Sequence, residues 1–322
     1  MLKTTTVAGT RSEFASDVRE GLRQDGQKEI PSQYLYDDLG SKLFEAITLL
    51  PEYGLTNADE RLLRENAADI ADSLPGPIVA AELGAGSGRK TRWLLEELAR
   101  REPTTYFPID ISEAAIEQCQ KEMEAVKDLT VHGIASPYLP GLPEAARKRP
   151  EGAHLLTMFL GSTIGNFKPE ETDKFLSGIR AQLEPGDSFL LSTDLVKPAR
   201  QLLEAYDDPT GVTAAFNLNL LNRMNHELGA DFDLSRFEHL ALYNHEMKRV
   251  EMHLLSLEEQ TVTIPEAGLT VTLDRDETIW TESSHKFTVE DVVGMADRAG
   301  FRCDNQWVDE RWPFAQSLLA AV

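Results

Sequence analysis

Ile78-Val79-Ala80-Ala81-Glu82-Leu83-Gly84-Ala85-Gly86-Ser87-Gly88 decides the fold. An apolar run that reads as a strand passes straight into glycines at alternate positions, and Lys90-Thr91-Arg92-Trp93-Leu94-Leu95 then reads as helix. A dinucleotide fingerprint, G-x-G-x-x-G, needs its third glycine at position 89, where Arg89 stands. The spacing Gly84-x-Gly86-x-Gly88 meets the same physical demand. Residues without Cβ adopt unusual dihedrals and let backbone touch a ligand. Glu82, ahead of the turn, adds an acceptor to this cofactor-facing set.

Upstream, Leu63, Ala67, Ile70, Ala71 and Leu74 recur at helical spacing from Leu62, and Pro75-Gly76-Pro77 stops that helix. Downstream, Thr105 to Asp110 reads as a second strand, followed by a helix N-capped by Ser112. Asp110 ends that strand at about the 20-residue separation where an acid meets ribose hydroxyls in nucleotide-binding α/β units. A lone glycine turn is only a strand-to-helix connection; with Asp110 in phase it becomes a nucleotide site. Further apolar runs at 129–134, 154–160 and 188–191, with a helix carrying Phe175, Leu176, Ile179 and Leu183, imply a doubly wound, mostly parallel sheet.

That rhythm breaks after Arg200. Residues 200–229 read as helical and 240–273 as alternating strands around Pro265-Glu266-Ala267-Gly268, an inserted α+β subdomain. A helix over 289–299 and a terminal pair of strands then close the nucleotide-type domain. The expected division is 1–58 with 199–285 as a substrate-binding subdomain, and 59–198 with 286–322 as the cofactor-binding domain.

Lys and Arg total 32 against 54 Asp and Glu, a net charge of −22, which repels phosphate backbones and anionic membranes. Nucleic acid and membrane are therefore not expected partners. Met1-Leu2-Lys3-Thr4-Thr5-Thr6 carries no apolar leader and no run approaches a membrane span, so the expectation is a cytoplasmic monomer. Cys119 shares helical spacing with Ala115, Ile116 and Met123 and reads as core; neither it nor Cys303 reads as catalytic.

The turn resembles class I S-adenosylmethionine-dependent methyltransferases, whose E/D-x-G-x-G-x-G signature is matched in full, as is Pro185-Gly186-Asp187 before the fifth strand. The resemblance implies S-adenosylmethionine, not NAD, with S-adenosylhomocysteine as product. A narrower resemblance lies outside that domain. Residues 33–44, Leu50-Pro51-Glu52-Tyr53, residues 159–167, 249–254 and 279–287 are similar to the histidine Nα-methyltransferases of ergothioneine biosynthesis, from about Ile30 to the end. What this implies is trimethylation of the α-amine of L-histidine to hercynine, without a metal.

Methyl transfer is an in-line displacement at a sulfonium carbon, so the protein must chiefly hold an unprotonated amine opposite the sulfur. Asn166 lies just beyond the fourth strand, at the sheet edge where ligands bind, and its amide can hold a carboxylate or an amine. By resemblance, Asn166, Tyr53 and Tyr206 hold the histidine carboxylate, Glu282 and Ser284 recognise the imidazole, and Met252 packs beside it. Glu282 also follows Trp280 in an apolar-alternating stretch, where an inward carboxylate needs a donor such as an imidazole N–H. Gly161 can present its carbonyl to the amine, and Tyr36 can accept or relay a proton through water. A weakly basic pocket suits three rounds, because a strong fixed acceptor loses its donor as methyls accumulate.

Lys90 resembles a cofactor-contacting lysine. After the third strand the family commonly has Gly-Asp-Phe, whose acid meets adenine, whereas this chain reads Ala135-Ser136-Pro137-Tyr138, leaving Ser136, Pro137, Tyr138 and backbone groups to hold the ring. Tyr53 precedes Gly54, where the family tends to carry a second Tyr. Two rivals remain: the same chemistry on tryptophan or tyrosine, from which Glu282 argues away, and a noncatalytic cofactor-binding regulator. His239, His245 and His253 share a region, but their spacing matches no compact metal motif.

Overall fold

A computed structural model describes residues 10–322; the start of the chain, read above for a leader, lies outside the described residues. The chain divides into two compact units. Leu55–Val196 and Lys286–Val322 belong to one, and residues 10–54 with Lys197–His285 to the other.

In the first unit, strand Ile78–Leu83 pairs in parallel with Thr104–Asp110 on one side and His154–Phe159 on the other. His154–Phe159 continues in parallel to Ser188–Asp194. The C-terminal hairpin, Phe301–Asp309 and Phe314–Ala321, adds antiparallel through its second strand. The result is the mostly parallel, doubly wound sheet that the resemblance implies.

These strands are buried on both faces, which is why they read as unbroken apolar runs. Val79, Ala81 and Leu83 enter one core with Phe159, Phe175 and Phe189, while Ile78 and Ala80 enter the opposite core with Leu94, Leu95 and Tyr106.

Two boundaries differ from expectation. The helix before the first strand begins at Gly54, eight residues ahead of the periodic start, and its added turns bury Leu55, Ala58 and Asp59. The 129–134 run splits into Leu129–Val131 and Ile134–Ala135. Gly133 stands in the break, where the Ile116 side chain lies 2.2 Å from the place a Cβ would take.

The second unit holds a four-stranded sheet in which Thr278–His285 lies between Lys28–Glu29, parallel, and Arg249–Ser256, antiparallel, with Phe237–Asn244 at the edge. A separate hairpin, Gln260–Ile264 and Leu269–Leu273, alternates buried and exposed residues, as its Val/Thr pattern requires. Helices Asp38–Ile47, Ala199–Tyr206 and Val212–Leu228 complete the unit. Among the described residues no helix is long and apolar enough to cross a membrane.

Candidate active site

In the first unit, the glycine turn is built from below. Gly84, Gly86 and Gly88 all have positive φ, at 73°, 53° and 70°. At Gly88 a Cβ would lie 2.6 Å from the Cys119 sulfur, so this third glycine leaves room for the side chains of helix Glu113–Met123 against the turn. Gly84 stands 3.2 Å, measured from a notional Cβ, above the ring of Tyr138. Tyr138 is itself buried against Phe159, so it supports the turn.

The reading of Glu82 as a cofactor acceptor meets a different arrangement. Its carboxylate is 1% exposed and takes the Thr91 hydroxyl at 2.8 Å and the Tyr106 hydroxyl at 2.5 Å. Burial raises its carboxyl from 4.5 to about 7, against the lowering effect of Tyr106 and Lys90. Glu82 thus braces the turn from the core, and Thr91 spends its hydroxyl there instead of capping the helix that begins at Arg92.

Asp110 meets the turn from the next strand. One carboxylate oxygen accepts from Gly86 N–H at 3.0 Å and the other from Ser112 N–H at 3.0 Å. A carboxylate has about four acceptor sites, so these bonds orient it with capacity left for two hydroxyls. Ser136 is tied to the same strand end, its N–H donating to the Asp110 carbonyl at 2.9 Å. Pro137 caps the start of helix Tyr138–Arg147. The residues fit an adenosyl group: exposed backbone at Gly84, open space beyond Gly86, and an oriented acid beside them.

Gly161 and Asn166 leave the fourth strand on the same edge. Gly161 and Ser162 both adopt left-handed backbone, at φ 78° and 58°. A short 3-10 turn, Thr163–Asn166, follows and carries the amide of Asn166. The Ser162 hydroxyl accepts from the Asp194 N–H at 2.8 Å, which anchors this uncommon geometry to the fifth strand.

The second unit holds Tyr36, Tyr53, Tyr206, Met252, Glu282 and Ser284 of the residues assigned to the amino acid. Tyr36 packs edge-on against Phe44 and Phe216, both at 5.4 Å between centroids. Tyr53 meets Phe44 at 6.3 Å and Tyr206 at 6.1 Å. Asp37 fixes the position of Tyr36 by capping the next helix, accepting from Gly40 N–H and the Asn219 amide.

Strand Thr278–His285 supplies the polar end. Its register slips between Trp280 and Glu282, so Thr281 is an extra residue and Glu282 faces Met252 directly. Glu282 is 9% exposed and Met252 is 2% exposed. Tyr206 donates its hydroxyl to Ser284 Oγ at 2.7 Å.

Beneath them lies a buried network that no sequence motif announced. His239 Nε2 meets the Tyr206 carbonyl at 2.7 Å, and its Nδ1 meets the Asn217 amide nitrogen at 3.0 Å. A carbonyl only accepts, so Nε2 carries the proton and Nδ1 accepts from Asn217. Burial lowers the His239 pKa, which favours this neutral tautomer, against the raising effect of the Tyr206 carbonyl. Asn217 also takes the Thr281 hydroxyl at 2.7 Å, so one amide links the helix end bearing Tyr206 to the bulge beside Glu282.

The three histidines of this region do not converge. His239 serves Tyr206, His253 lies 3.3 Å from Glu251, and His245 packs on Tyr243. Among the described residues no group of three His, Cys, Asp or Glu side chains is arranged to hold a metal.

A sequence profile described as "Histidine-specific methyltransferase, SAM-dependent" matches residues 14–321. The chain belongs to this family of S-adenosylmethionine-dependent methyltransferases. It is 40% identical over 309 residues to the histidine N-alpha-methyltransferase of Mycobacterium tuberculosis, covering 94% of each chain. With the histidine N-alpha-methyltransferase of Mycolicibacterium smegmatis it is 40% identical over 94% of this chain and 93% of that one. It is also similar, at 28% identity over 97% of this chain and 94% of the other, to an L-tryptophan methyltransferase of Psilocybe serbica. The family's co-substrate suits the oriented acid and bare turn at the sheet edge.

Proposed function

We propose that this chain transfers three methyl groups from S-adenosylmethionine to the α-amine of L-histidine, forming hercynine and entering ergothioneine biosynthesis. The observation that carries the reading is Glu282, a carboxylate 9% exposed and paired across the strands with Met252 beside the Tyr206–Ser284 bond. A buried acceptor of this kind suits a ring that offers an N–H donor.

S-adenosylmethionine supplies an electrophilic methyl on a sulfonium leaving group. Gly84, Gly86, Lys90, Asp110 and the Ser136-Pro137-Tyr138 segment hold it, with Glu82 bracing the turn. Tyr53, Asn166 and Tyr206 hold the amino-acid carboxylate, while Glu282, Ser284 and Met252 receive the imidazole. Orientation supplies most of the rate, since the amine lone pair must lie in line with the breaking carbon–sulfur bond. The Gly161 carbonyl orients the amine, and Tyr36 passes its proton to water between rounds. The third round starts from a neutral dimethylamine and leaves a quaternary nitrogen, so no proton departs in that step. We assign 59–198 with 286–322 as the cofactor-binding domain and 1–58 with 199–285 as the substrate-binding subdomain. The reading also makes the chain a cytoplasmic monomer without nucleic-acid or membrane partners, in keeping with its charge of −22.

The test supplies purified protein and S-adenosylmethionine with each common amino acid in turn. A trimethylated product from histidine alone is expected. Equal turnover of tryptophan or tyrosine would overturn the acceptor assignment and leave the methyltransferase chemistry standing.

A further inference from the structure

Asp59 lies on helix Gly54–Asp72 and is 0% exposed, yet it is not part of any site described above. One of its carboxylate oxygens, Oδ2, accepts from Lys90 Nζ at 2.6 Å and from the Gly161 N–H at 2.9 Å. The other, Oδ1, accepts from Ser192 Oγ at 2.7 Å and from Gln316 Nε2 at 2.7 Å. A single buried carboxylate therefore joins the glycine-turn exit, the fourth-strand exit, the fifth strand and the last strand.

A buried carboxylate is costly unless its charge and lone pairs are met, and here all four acceptor positions are taken. A purely structural anchor would suffice for Ser192 and Gln316, which lie within strands. The donors on Oδ2 are different. Lys90 and Gly161 lie on the same edge of the sheet, and Lys90 Nζ stands 3.1 Å from where a Cβ on Gly161 would be, so a side chain there would press on the end of the lysine. Gly161 also begins two consecutive left-handed residues, a conformation that persists only where its surroundings fix it. The Asp59 bond to the Gly161 N–H fixes the first, as the Ser162–Asp194 bond fixes the second.

We propose that Asp59 is a positioning residue for methyl transfer, setting through one oxygen the spacing between Lys90 on the cofactor side and the Gly161 carbonyl on the amine side. This rests on the roles given to Lys90 and Gly161 under the proposed function. It is tested with the full-length chain, first by measuring which amino acid the wild type methylates, then by comparing Asp59→Asn in the wild-type and Lys90→Met backgrounds on that substrate. A wild type that prefers another amino acid refutes the histidine assignment, while the cycle still reads the role of Asp59.

Asp59→Asn is expected to lower kcat by about tenfold to hundredfold, the scale of a small misplacement of reacting groups, with the amino-acid KM within about threefold. In the Lys90→Met background the same substitution should cost much less, because part of what Asp59 holds is already gone. Unchanged kcat, or equal losses in both backgrounds, overturns the proposal. If Asp59→Asn does not fold, Ser192→Ala frees one anchor of the carboxylate and should reproduce a smaller kcat loss at unchanged KM; unchanged kcat in that folded variant also overturns it.

Discussion

Glu282→Ala is expected to weaken L-histidine binding by roughly 1–3 kcal/mol, about 5- to 150-fold, because it leaves an imidazole donor unpaired in a closed site. The binding of S-adenosylhomocysteine should stay unchanged, since Glu282 is assigned to the imidazole and not to the cofactor. The position favours a large effect: the residue is only 9% exposed, so water cannot readily take its place as a partner. Its backbone carbonyl separately accepts from Trp280 Nε1 at 2.9 Å, and the alanine variant retains that bond and the bulge around it. Calorimetry with each ligand checks this. Equal losses for both would make Glu282 a structural residue, whereas Glu282→Gln should keep part of the affinity through its remaining carbonyl acceptor.

The second large effect concerns stability. Lys286→Met is expected to cost about 3–5 kcal/mol, the usual penalty for leaving one member of a buried ion pair behind. Lys286 Nζ and Asp194 Oδ2 are 2.9 Å apart with side chains 0% and 1% exposed. Asp194 Oδ1 also accepts from Trp312 Nε1 at 3.0 Å. Backbone bonds between Phe287 and Asp194, and between Val196 and Phe287, close the same crossing. Urea denaturation should show a lower midpoint at unchanged slope. Adding Asp194→Asn should recover much of the loss, because the amide keeps an acceptor for Trp312 without the stranded charge. A cost below about 1 kcal/mol in Lys286→Met would mean that the pair behaves like a surface one.

The sheet was legible because its strands are buried on both faces and punctuated by glycines: Ile78–Leu83 stands where its apolar run predicts. Boundaries were less legible where polar residues sit inside an apolar stripe. Asp59 occupies the same helical stripe as Leu55, Ala58, Leu62 and Leu63, and Asn217 the same stripe as Phe216, Leu220, Leu221 and Met224. A polar residue at such a position is the signal that could have found both, since burial there demands partners. The partners themselves, Gly161 for Asp59 and His239 for Asn217, are distant in sequence and follow only from the fold. Glu82 shows the reverse case. Its place before the turn suggested a ligand acceptor, but strand alternation sends it to the face of Ile78 and Ala80, towards Tyr106.

Three transfers to one nitrogen of one amino acid are open to direct measurement by mass spectrometry of the product, alongside a count of S-adenosylhomocysteine released per histidine consumed. A ratio of three is expected, with all three methyl groups on the α-nitrogen. A product that stops at one or two methyl groups, or that carries them on the imidazole ring, would contradict it.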